Sequence, residues 1–134
     1  MTNESDRFKT IFSQEKLDAL FPSERSNQFF DALFGDADEG AYDIRLAFNK
    51  LQDDHLHFDF QLHQRPGKCL ACNLTYGLPK VFERHPVIDV KGVVKQLSML
   101  MNGKSRCTEW MLGKSREIYR ELHVVPLIVK IESI

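Results

Sequence analysis

A chain of 134 residues with 43% hydrophobic and 28% charged content has the size and make-up of one globular domain able to bury its own core. That balance excludes wholesale disorder. No apolar run approaches the roughly 18 residues that a membrane-spanning helix needs. The formal net charge of −1 conceals a division. Residues 1–64 carry 6 basic and 13 acidic side chains, a net of −7, whereas residues 65–134 carry 12 basic and 6 acidic ones, a net of +6. Such polarity either neutralises itself within the fold or marks a surface for nucleic acid or for the unlike face of a second copy.

The opening Met1-Thr-Asn-Glu-Ser-Asp-Arg7 lacks the charged-then-apolar order of a secretory signal, which places the protein in the cytoplasm. There, three cysteines are expected as thiols or metal ligands rather than as a disulfide framework. Residues 1–8 are polar and are expected to be frayed. From Phe8 to Phe34 apolar residues recur at helical intervals: Phe8, Ile11 and Phe12, then Leu17, Leu20 and Phe21, then Phe29, Phe30, Leu33 and Phe34. With Ser13 and Ser23 as N-caps and Pro22 as a stop, this predicts two or three short helices. Gly35 to Gly40 is a turn-rich connector. Its Asp36-x-Asp38 opens like a calcium loop, but the glutamate required eleven residues after the first Asp is Ala47, and calcium is set aside.

Two strands follow. Tyr42, Ile44, Leu46 and Phe48 form one apolar face. From Asp54 to His63 the chain alternates without a break, with Leu56, Phe58, Phe60 and Leu62 on one side and His55, His57, Asp59, Gln61 and His63 on the other. The spacing predicts a hairpin loop from Asn49 to Asp53, and one register permitted to a meander sets Arg45 near Asp59 as a cross-strand ion pair. After the turn at Gln64 to Lys68, the stretch Cys69 to Tyr76 reads as a third strand of an antiparallel meander. Asp89 then caps a helix whose stripe is Val90, Val93, Val94, Leu97, Leu100 and Met101, closed by Asn102-Gly103. The tail reads as a β-hairpin, with residues 115–122 fitting helix or strand. Pro126 is expected on an edge strand or at a bulge.

The expected fold is therefore a single α+β domain over residues 1–134: N-terminal helices, a three-stranded antiparallel meander, one amphipathic helix and a C-terminal β-hairpin. The same order of elements occurs in the small cytosolic chaperones of type III secretion. That similarity is one of topology and size without a shared motif, and a fold does not carry a function. Phe29-Phe-Asp-Ala-Leu-Phe-Gly-Asp36 and Arg65-Pro-Gly-Lys-Cys-Leu-Ala-Cys-Asn73 resemble small uncharacterised bacterial proteins, a resemblance that implies no activity.

Three places could hold chemistry. Cys69-x-x-Cys72 follows a Pro-Gly turn as in half a zinc knuckle, and His85 stands thirteen residues later, with His63, Cys107 or Asp89 to complete a set. Strand alternation opposes this, because it sends the two cysteines to opposite faces. A thioredoxin-like role needs the pair at a helix N-terminus, and the following Asn-Leu-Thr-Tyr reads as strand. The histidine face of the second strand could hold a metal through His55 and His57, although alternation alone requires polar residues on a solvated face. The third place is a basic surface with adaptable apolar residues: Lys91, Lys95, Met99, Lys104, Arg106, Trp110, Met111, Lys114 and Arg116. No nucleophile elbow, P-loop or dinucleotide fingerprint is present. The reading that follows is a protein-binding, adaptor-type module without catalysis, self-associating as a homodimer, with no cofactor and no membrane partner. A zinc-binding domain and an RNA-binding domain are its alternatives; RNA is disfavoured because the aromatic faces point toward the helices.

Overall fold

The computed structural model describes residues 4–22, 24–35, 42–68, 88–101, 103 and 105–133. Helices and an antiparallel sheet make an α+β fold: α1 (Glu4–Ile11), α2 (Gln14–Leu20), α3 (Glu24–Phe34), β1 (Tyr42–Gln52), β2 (His55–Gln64), α4 (Val90–Leu100), β3 (Ser105–Leu112), β4 (Arg116–Tyr119) and β5 (Leu122–Ser133). The sheet runs β1-β2-β5-β3, with β4 also pairing to β5. No helix among the described residues is long and apolar enough to cross a membrane.

The period-two pattern of β2 sets the layers. Leu56, Phe58, Phe60 and Leu62 are wholly buried, and the residues between them are only partly covered. Their partners follow the same parity. Leu46 and Phe48 lie opposite Phe60 and Phe58 on one side, and Val129, Leu127 and Val125 lie opposite Leu56, Phe58 and Phe60 on the other. This apolar face receives all the helices in one core. Phe12 meets Phe58 edge-on at 5.1 Å and Phe21 meets Phe60 at 5.6 Å. At the other end of the sheet Val90, Val93, Val94, Leu97 and Met101 bring α4 down beside β3.

Local signals fix the helix ends. Ser13 caps α2 and accepts the Lys16 N–H. Asp89 caps α4 from a left-handed backbone position and accepts the Gly92 N–H at 3.1 Å. A Cβ at Gly92 would run into the Asp89 carboxylate, so a larger residue there would have to displace the capping side chain. The stretch expected to be frayed is helical from Glu4, and Phe8 within it is buried. Ser23, Asn102 and the third strand expected at 69–76 lie outside the described residues.

Three further expectations need correction. The hairpin loop is not Asn49–Asp53 but the two-residue turn Asp53-Asp54, both residues at positive φ (49° and 61°), the backbone of a type I′ turn whose twist matches the flanking strands. The ladder slips between Phe48 and Lys50, so a bulge absorbs one residue and lets both strands run on. Arg45 does not pair with Asp59: it stands opposite Gln61 and its guanidinium binds Asp18 of α2 at 2.9 Å. The C-terminal unit has three strands rather than two, since β3 and β4 pair in succession along β5 and residues 116–119 are strand. Pro126 lies in a central strand, opposite Asp59, and not at an edge, but on its β3–β4 side it meets the expected alternative, a bulge in the ladder. It is tolerated because its carbonyl accepts the Gly113 N–H at 2.8 Å. Its hydrogen-free nitrogen therefore faces the same edge, where the ladder is interrupted between β3 and β4.

That interruption has a geometric effect. Leu112 pairs with Leu127, but Arg116 pairs with Val124, so one extra residue is taken up opposite Pro126. A one-residue slip turns every later side chain to the other face. Arg116 thus shares a face with Val124 and Gln61, away from the helices.

Candidate functional site

The residues expected to form one basic surface fall on two sides of the sheet. On the helix side, Lys91 and Lys95 stand one turn apart on α4, above a groove of about 540 Å³ floored by Val94, Cys107 and Trp110. Met99 continues the same helical row and is 70% exposed. Cys107 N–H is held by Ser98 Oγ at 3.2 Å across the groove, and burial pushes the Cys107 thiol up to about 11. Trp110 is partly buried against the core. Arg106, by contrast, stands opposite Glu132 on the open face and is bound to it at 3.5 Å. Lys91 and Lys95 have no ion-pair partner among the described residues. Lys104 lies outside the described residues.

Met111, Lys114 and Arg116 lie on the open face instead. Lys114 and Arg116 line a cleft of about 360 Å³ with Asn49, Lys50, His57, Asp59, Pro126 and Ile128. Its parts come from separate segments. Lys50 lies opposite His57 across β1 and β2, Pro126 and Ile128 lie opposite Asp59 and His57 on β5, and the β3–β4 break supplies Lys114 and Arg116. Burial raises the Asp59 carboxyl above its ordinary value, against the opposing charge of Arg116 and a hydrogen bond from Asn49 Nδ2 at 3.3 Å. Burial lowers His57 below the ordinary histidine value, aided by the Lys50 charge. The cleft therefore brings a desolvated imidazole and a desolvated carboxyl group beside the side chains of Lys50, Lys114 and Arg116.

Comparison with protein-family models, curated proteins and solved structures gives no match. The site is accordingly built from its own residues. Sequence periodicity missed Lys50 because the Asn49 bulge resets the alternation, and it grouped Arg116 with Lys91 because the slip opposite Pro126 leaves no mark on hydropathy.

The metal candidates fare differently. Cys69, Cys72 and His85 lie outside the described residues. Among the described residues no group of three or more His, Cys, Asp and Glu side chains is placed to hold an ion. His63 Nε2 donates to Gln61 Oε1 at 3.0 Å, and His63 lies opposite Asp43. Burial, and then the charge of Arg45, lowers it. It borders a third cleft of about 620 Å³ on the β1 edge, where the charges are already matched: Asp18 with Arg45 and Asp43 with Arg65, each at 2.9 Å. His123 is buried on the helix side, 3.5 Å from Glu117.

Proposed function

We propose that this protein is a non-catalytic protein-binding module that self-associates through the groove between α4 and β3. The observation that carries this reading is the pair Lys91 and Lys95, without an ion-pair partner among the described residues, on one face of α4 above the apolar floor of Val94 and Trp110. A groove of that kind takes a segment that offers an apolar anchor and carboxylates. A second copy supplies both, since its N-terminal half carries a net charge of −7. Met99, exposed at the next turn, adds an adaptable contact.

Sedimentation of the wild-type protein and of the Lys91→Glu/Lys95→Glu variant, at low and at high salt, tests this. The expected result is concentration-dependent dimerisation at low salt that weakens at least tenfold in the variant and weakens with added salt. A monomer at every concentration, or a dimer indifferent to both changes, removes the proposal.

A further inference from the structure

The arginine and lysine side chains on and beside the sheet differ in what they hold. Arg45, Arg65 and Arg106 each hold a carboxylate within 3.5 Å. Lys50, Lys114 and Arg116 hold none among the described residues, yet all three border the same cleft. Like charges repel one another, and Asp59 is the one acidic group lining the cleft against the three of them, so gathering them from β1, the β3–β4 break and β4 leaves the cleft positive. The gathering also depends on irregular backbone. The Asn49 bulge sets Lys50 opposite His57, and the slip opposite Pro126 turns Arg116 onto the open face. Bulges that re-aim side chains are common beside binding sites.

We infer that the open face of the sheet carries a binding site for a multivalent oxyanion, a phosphate ester or a polycarboxylate, held by Lys50, Lys114 and Arg116. The volume of about 360 Å³ suits a small molecule rather than a macromolecular surface. Three cations against the single carboxylate of Asp59 leave an excess of two positive charges, matching a dianion. Arg116 offers the planar fork that takes two oxygens at once, and the lysines act as point charges on the remaining ones. Pro126 and Ile128 provide an apolar floor, which weakens the competition from water for each charged contact. His57 and Asp59 stand beside the cations as hydrogen-bonding partners for hydroxyl groups on the same ligand. This inference is independent of the groove between α4 and β3, which lies on the other side of the sheet.

The test is calorimetric titration of the full-length protein with pyrophosphate and, separately, with citrate, against sodium chloride of matched ionic strength. Saturable binding of either anion is expected, and which of them binds more tightly tells a phosphate ligand from a carboxylate one. Arg116→Glu and Lys114→Glu are each expected to weaken that binding about tenfold or more. Lys9→Glu, exposed on α1 on the helix side, is expected to leave it unchanged. Both cleft positions are exposed, and urea unfolding of the variants confirms that they fold. Heat no greater than that of chloride for both anions overturns the inference, as does binding that survives both cleft substitutions or is lost equally in Lys9→Glu.

Discussion

Ser26 Oγ receives the backbone N–H of Ile44 at 2.7 Å. Both residues are fully enclosed, at 0% and 1% exposure. The contact joins α3 to the outer edge of β1, and Gln14 of α2 completes it by donating to the Leu46 carbonyl at 2.8 Å. A bare edge strand is a template for unwanted pairing, and here two helix side chains occupy its hydrogen-bonding groups. Ser26→Ala leaves the Ile44 N–H buried without an acceptor, which costs about 1–3 kcal/mol. The expected readout is a lower urea midpoint at an unchanged slope. An unchanged midpoint shows that the edge does not depend on the hydroxyl.

The β1–β2 turn invites the opposite change. Asp53 and Asp54 both hold left-handed backbone angles, which aspartate tolerates at some cost and Asn-Gly adopts readily. The side chains of both are exposed. The Asp54 carbonyl, which accepts the Ile131 N–H at 2.9 Å, is a backbone group that the change preserves. Asp53→Asn with Asp54→Gly is therefore expected to stabilise the fold by about 0.5–1 kcal/mol. A lower midpoint in urea would mean that the turn is not type I′ in solution.

What the sequence made legible was whatever repeats. The β2 alternation from His55 to His63 and the α4 stripe from Val90 to Met101 each bury a regular face, so hydropathy reports them directly. Asp89 was legible as a cap because its chemistry is local. The bulge at Asn49 was not, and the slip opposite Pro126 was legible only as one of two settings for a strand proline, since each is one residue of irregular backbone decided by tertiary pairing. Those two irregularities place Lys50 and Arg116, so the open-face cleft was the least readable part of the molecule. Arg45 shows the same limit: parity set it on the face of Asp59, and only the packing of α2 beside β1 shows that Asp18 is its partner.

Cys107 gives a chemical prediction. Its thiol is held up to about 11 by burial, with the Ser98 hydroxyl pulling the other way, and only the thiolate is alkylated. Against an ordinary thiol at 9.0, labelling of Cys107 by iodoacetamide in the native protein should be slower by about a hundredfold. Peptide mapping after timed labelling, with and without urea, checks this. Rapid native labelling would show that β3 and α4 part readily at this point.

The pH dependence of stability turns on Asp59 and His57, two residues apart on one face of β2. Asp59 is raised by burial despite Arg116 and Asn49. The folded state therefore holds its proton more tightly than the unfolded state, and stability falls as pH rises through the window above 3.8. His57 is lowered by burial and by Lys50. There the unfolded state holds the proton more tightly, so stability is lost as pH falls below 6.5. Asp59→Asn keeps an acceptor for Asn49 and removes the desolvated charge. It is expected to raise stability at neutral pH and to change nothing below the ordinary carboxylate value. His57→Gln is expected to lessen the loss on acidification below 6.5, leaving the part that His63 contributes in the same direction, without altering the neutral plateau. Urea unfolding across that range measures both. Destabilisation by Asp59→Asn at neutral pH would mean that the attraction of Arg116 outweighs desolvation, reversing the sign. The same variant removes the one carboxylate from a cleft of three cations, so pyrophosphate or citrate should bind it more tightly than the wild type. Tighter anion binding together with higher neutral stability ties both effects to the charge of Asp59.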